Sequence, residues 1–189
     1  DELEDVRRRV DELVEELERV SRRVAELVKR IIDESRDISR RVARRVEELL
    51  RRLREVTKRS GTEEAREEVE RTVERVLEEV ERILRESVEI SRRLVERIRE
   101  IVRESLERSR EVVKTIREIV KRLLEKRKDD DELRKRLEDL KRKIERLLED
   151  NRRKLEELIR RAEKVVEENE RTMRKLKEDA KRLLEEIRK

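Results

Sequence analysis

The chain contains no cysteine, histidine, proline, phenylalanine, tyrosine or tryptophan, and only one glycine. Each absence excludes something. Without cysteine there are no disulfides and no thiolate metal ligands, and cysteine usage says nothing of the redox compartment. Without histidine, a serine nucleophile lacks its usual base and transition metals lack their commonest ligand. Without aromatic residues there are no stacking platforms for single-stranded nucleic acid and no interfacial anchors for a membrane-surface helix. Long apolar runs are missing too: none approaches the roughly 18 residues of a membrane span. The opening residues, DELEDVRRRV, lack the apolar centre of a signal peptide. A soluble chain is expected, cytoplasmic where it is expressed recombinantly; its native location is not legible.

What is present is charge. Of 189 residues, 59% are charged and 33% hydrophobic, with 58 Lys and Arg against 53 Asp and Glu. This is the composition of long helices and coiled coils. High charge alone would also suit disorder, but the apolar residues recur with helical period from end to end. Opposite signs interleave, as on a solvated mixed-charge surface, without the basic stripe of a nucleic-acid footprint.

The punctuation is sparse. In TKRSGTEEA, Ser60-Gly61-Thr62 reads as a helix end, with Gly61 suited to a positive φ just past it. Thr62 then caps the next helix, and Glu63 and Glu64 favour its positive end. In EKRKDDDEL, Lys126–Lys128 suit a helix C-terminus and Asp129–Asp131 the following N-terminus. Capping is preferred over a calcium loop, because no run of spaced oxygen ligands follows. The spacing therefore predicts helices over about 2–59, 63–127 and 131–188 in one domain covering residues 1–189. At ~1.5 Å per residue each is about 85–100 Å long, and the short turns make neighbours antiparallel. The expected fold is all-α: a long, straight, antiparallel up-down-up three-helix bundle.

The apolar rows repeat every eighteen residues. Examples are Val10, Val28 and Val46; Val20, Ile38 and Val56; Val80, Ile98 and Ile116; Leu137, Leu155 and Met173. Eighteen residues are five turns at 3.6 per turn, so the seam stays fixed on a straight helix. A heptad repeat would impose a left-handed supercoil and an eleven-residue repeat a right-handed one. An untwisted, coiled-coil-like packing is expected.

Polar residues interrupt these stripes at the same interval. Ser87 and Ser105 share one angle on helix 2, and Ser91 and Ser109 another. Asn151 and Asn169 lie near the middle of helix 3's stripe. On helix 1, Ser21, Ser39 and Thr57 form a row inside the stripe, and Ser35 sits at its centre. With turns near 61 and 129, residues level with one another have numbers adding to about 122 on helices 1 and 2, and about 258 on helices 2 and 3. Ser87 and Ser91 then lie level with Asn169 and near Ser35 and Ser39; Ser105 and Ser109 lie level with Asn151 and within two turns of Ser21. Clustered at common heights, such groups can satisfy one another, and they penalise slipped registers as a core Asn does in coiled coils. Thr57, facing apolar positions, is expected to bond its own helix backbone.

No catalytic, cofactor-binding or metal-binding residue stands out. The serines lack a base, and the Glu residues fall on outer faces. Protein–protein association is the serious rival to a closed bundle. The stripes of helices 1 and 2 are about 160° wide, while that of helix 3 is about 100–120°, and a core-facing helix of a bundle uses roughly a 3/7 face. Long Arg and Glu stems can cover the excess; equally, it can await a separate helical partner or a second copy.

The chain as a whole resembles de novo designed parametric helical bundles with buried hydrogen-bond networks. The resemblance rests on the eighteen-residue rows, the repeated Ser/Asn layers, the SGT and DDDEL connections, and the Glu/Arg/Lys filling of exposed positions. It implies a structural scaffold without enzymatic activity, in which Ser21, Ser35, Ser39, Ser87, Ser91, Ser105, Ser109, Asn151 and Asn169 form polar layers that fix register and pairing. The alternative is an interaction module whose three helices are completed by a further one. No nucleic acid, membrane, small molecule or cofactor is expected as partner. Helix 3 departs in style, being richer in Lys and Leu, with Asn where the others carry Ser.

Overall fold

The computed structural model describes residues 2–59 and 61–189, with side chains from Glu4 onward. They form α1 (Glu2–Arg59), α2 (Glu63–Lys126) and α3 (Asp131–Arg188). The fold is an all-α three-helix bundle.

Each helix follows from its sequence. Leu, Arg, Lys and Glu are good helix formers, and proline is absent throughout. Exposed i,i+4 pairs such as Glu48–Arg52 and Glu89–Arg93, both at 2.7 Å, add a few tenths of a kcal/mol each. Most of the stability of long helices comes from burying an amphipathic face. Burial repeats along the eighteen-residue rows: Val10, Val28 and Val46 are 2%, 0% and 1% exposed. Ile83, Ile101 and Ile119 are all half-buried.

The helix ends are built as the residue types dictate. Thr62 Oγ1 accepts from the Ala65 amide at 3.3 Å, and Asp130 Oδ1 from the Leu133 amide at 3.1 Å. The Arg134 guanidinium donates to the Lys128 carbonyl at 3.3 Å, tying the second connection to the first turn of α3. Helix α2 ends at Lys126, one residue before the expected 127. Gly61 corrects another expectation, because it does not take a positive φ. A Cβ placed there would meet nothing within 4 Å, so the turn runs through open space in a conformation any residue adopts. Ser60, read as part of the same helix end, lies outside the described residues.

The chain packs as two compact units. The first comprises residues 1–30 and 97–160, the second residues 31–96 and 161–189. The first unit's core gathers Val10, Leu13, Val113, Ile116 and Ile144, with a neighbouring cluster of Leu123, Leu133 and Leu137. The second unit's core includes Val46, Leu50, Val73, Val80, Leu176 and Leu183. In both, α2 and α3 run antiparallel in one register. The cross-helix pairs Ser91–Asn169, Arg92–Glu170, Glu74–Arg188 and Arg117–Glu145 have numbers that add to 260 or 262. The turn-based expectation of about 258 was off by two to four residues, about half a turn to one turn.

Candidate functional site

The polar residues inside the stripes are the only candidates the sequence singled out, and the structure distributes them unevenly. Seven of the nine are buried: Ser35, Ser87, Ser91, Ser105, Ser109, Asn151 and Asn169. Ser21 and Ser39 are half-buried.

Three of the serines turn back on their own helices. Ser21 Oγ donates to the Leu17 carbonyl at 2.8 Å, Ser39 Oγ to Ser35 and Ser109 Oγ to Ser105, both at 2.9 Å. Thr57 does the same to Leu53 at 2.7 Å. A hydroxyl on a helix always has the i−4 carbonyl in reach, so this bond forms without help from a neighbour. It leaves the oxygen's lone pairs able to accept.

In the second unit a serine oxygen does accept across helices. The Asn169 amide donates to Ser91 Oγ at 2.8 Å, joining α3 to α2 between groups that are each 3% exposed. Next to it, the Arg92 guanidinium meets the Glu170 carboxylate at 2.9 Å. The buried bond and the half-exposed ion pair thus occupy successive positions on both helices.

In the first unit the corresponding residues, eighteen away, are Ser109 and Asn151, and their register is the same. Yet Asn151 Nδ2 has no hydrogen-bond partner, and neither has Ser105 Oγ. The flanking charges also differ. Where the second unit has Arg92 opposite Glu170, the first has Arg110 opposite Arg152. Arg152 turns along its own helix to Glu149, at 2.6 Å, and Glu156, at 3.3 Å. Even in the second unit the network is partial, since Asn169 Oδ1 has no partner.

A groove opens beside the second unit's layer, between α1 and α2. Ser35, Ile38, Ser39, Ser87, Ile90 and Ser91 line it, with Val42, Ile83 and Leu94 behind and Glu86 on its rim. Ile38 and Ile90 are 46% and 47% exposed. In the first unit a different groove runs between α2 and α3, walled by Ile116, Val120, Leu124 and Ile144 and rimmed by Arg117, Lys121 and Lys141.

The electrostatics are those of a charged surface. The hydrogen bond from Arg152 holds the Glu149 carboxyl below its ordinary range, and Glu149 raises Arg152 in turn. Arg188 is raised by its hydrogen bond to Glu74. Among the described residues no cluster of three or more Asp or Glu side chains is placed to hold a metal ion. Among them, too, no helix is long and apolar enough to cross a membrane.

No protein-family model matches the chain, and no curated protein matches it either. A solved structure described as a "Computationally designed three helix bundle" does match, with a TM-score of 0.52 at 21% identity, covering 98% of this chain and 90% of its own. At that identity the likeness is one of fold.

Proposed function

We propose that the chain is a de novo designed structural scaffold without catalytic activity, whose buried Ser and Asn residues set helix register and pairing. The observation that carries this reading is the Asn169–Ser91 bond. A cross-helix amide–hydroxyl bond between buried groups contributes about 1 kcal/mol net. It costs far more when a slipped register leaves both groups buried and unpaired. The apolar rows do not discriminate in this way, since a helix shifted along its axis still meets aliphatic side chains. The eighteen-residue period supports a parametric origin with straight seams. The designed bundle of the same fold supports it further.

The test is register, not stability alone. Ser91→Val with Asn169→Leu replaces both partners by apolar groups, so thermal stability should hold or rise. Spin labels on exposed positions of α2 and α3 should give one narrow distance in the parent chain and a broadened or second distance in the variant. An unchanged distribution would remove the register role and leave the pair as mere tolerated polarity.

A further inference from the structure

Within the second unit, the apolar surface is distributed unequally among the helices. Among the described residues, the four large hydrophobic side chains that stand exposed are Leu27, Ile38, Val56 and Ile90, all on α1 or α2. Three of them belong to this unit. Ile38 on α1 and Ile90 on α2 both line the α1–α2 groove. Val56 lies on Ile38's helical row, eighteen residues on. Val42, Leu49, Val76 and Ile83 lean on the core yet stay half-exposed. The wide stripes expected of helices 1 and 2 are therefore covered on one side only.

The flanks of α1 and α2 beside the groove differ in charge, Arg41 and Arg45 each standing three residues from a groove residue, Ile38 and Val42. On α1, Arg41, Arg44 and Arg45 gather around Leu49 beside Glu48 and Arg52. Arg52 is paired with Glu48, but none of Arg41, Arg44 and Arg45 makes an ion pair among the described residues. On α2, the edge beside Ile83 and Ile90 carries Glu86, which lines the groove without an ion pair among the described residues, and two carboxylates that are engaged. Glu79 is paired with Arg82 and Glu89 with Arg93.

We infer that this face receives one further amphipathic helix from a separate chain, aliphatic along its seam and acidic along the edge that meets Arg41 and Arg45. A single helix, roughly 10 Å wide, has the width to touch both walls of a groove between two helices. The serines that line the groove at one level call for a small or hydroxyl-bearing residue there. Ser39 Oγ already donates to Ser35, so its oxygen is left as an acceptor. A second copy of this chain fits poorly. Pairing α1 with its own copy sets arginine against arginine, and pairing α1 with the copy's α2 offers Glu86 alone as an unengaged carboxylate, since Glu79 and Glu89 are held by Arg82 and Arg93. One carboxylate does not match three arginines, so the others must come from elsewhere. An anionic membrane would supply negative charge, but Ile38 and Ile90 sit across a furrow and no aromatic anchor exists in the chain.

The experiment uses the full chain and two labelled synthetic helices of about 30 residues, long enough to persist as helices and to match α1's share of the unit. Both carry a leucine seam with one serine; one has glutamates along one edge, the other lysines at the same sites. By fluorescence anisotropy the glutamate-edged helix should bind about tenfold tighter than the lysine-edged one. Arg41→Gln with Arg45→Gln should abolish that preference while leaving binding. Ile38→Ser or Ile90→Ser should weaken both helices about tenfold, with the circular dichroism of the bundle unchanged because both residues are half-exposed. Equal affinity for the two helices, or no binding of either, overturns the inference. So does self-association of the chain that Ile38→Ser abolishes, which would identify a second copy. Binding only to phosphatidylserine vesicles would identify a membrane instead. None of these outcomes touches the register role of Ser91 and Asn169, which is read by spin-label distances.

Discussion

Asn169 and Ser91 are joined at 2.8 Å across two helices, while Asn151 and Ser109, their counterparts one repeat away, are not joined. The two pairs share residue types, register and burial, and they differ in what lies beside them. The exposed pair Arg92–Glu170 lies beside the first; beside the second stand two arginines, Arg110 and Arg152, the latter turned to Glu149 and Glu156.

Removal of the two asparagines should therefore have unequal effects. Asn151→Leu replaces a buried amide nitrogen that has no partner with an apolar group of similar size, which should raise stability. Asn169→Leu gives up a formed bond and leaves Ser91 without its donor, offsetting the gain from burial. The first variant should exceed the second by about 1 kcal/mol in urea or guanidinium unfolding. Equal changes would mean that the amide–hydroxyl bond contributes nothing net.

Copying the first unit's edge into the second should reproduce its effect. Glu170→Arg sets a second guanidinium opposite Arg92 and removes an ion pair whose carboxylate side chain is only 21% exposed. The direct loss is about 0.2–1 kcal/mol, the range of exposed or partly exposed pairs. More telling is the Asn169 side-chain amide. Its hydrogen exchange should quicken by NMR as the bond to Ser91 loosens. Unchanged protection would show that the buried pair holds itself.

Much of this was legible in the sequence. Helix boundaries followed from Thr62, from the acidic first turns and from the basic last turns, because capping and helix-dipole effects act within a few residues. The core rows followed from period alone: Val80, Ile98 and Ile116 share one helical angle and one state of burial. The level of Asn169 with Ser91 followed from counting away from the turn. What the sequence left open was which polar atoms bond. Whether an asparagine amide reaches a serine oxygen across two helices turns on tenths of an ångström, and the groups beside the two pairs, Glu170 and Arg152, read simply as surface charge. Gly61 misled for a related reason. Glycine permits a positive φ but does not require one, and a turn in open space does not need it.

The connections carry their own prediction. At Gly61 the backbone suits any residue and a methyl meets nothing within 4 Å. Gly61→Ala should thus stabilise by about 0.4–1 kcal/mol, through loss of freedom in the unfolded chain. Destabilisation would mean that the turn does need a left-handed residue. At the other connection, only Asp130 among the three aspartates accepts the amide of the first turn. Asp130→Ala should cost about 1 kcal/mol, and Asp129→Ala should stay within about 0.5 kcal/mol. Millimolar calcium should leave the melting temperature of the parent chain where it is.

Acid titration should single out Glu149. Its carboxyl accepts from Arg152, and also lies 3.4 Å from Arg153, so its pKa in the folded chain is lowered from the ordinary 4.5. A lowered folded pKa means that the unfolded chain takes up the proton first as pH falls. The interaction's contribution is therefore complete above pH 4.5 and is lost as pH drops through the lower folded value. Both partners are well exposed, so salt should shrink the effect. Carbon-detected NMR of the Glu149 carboxyl should give a midpoint below 4.5 that moves upward in Arg152→Gln and in high salt. If the midpoint did not respond to removal of Arg152, the guanidinium would be turned away in solution. Arg152 would then be free to swing toward α2, and like-charge repulsion from Arg110 would be the stronger cause of the unmade Asn151–Ser109 bond.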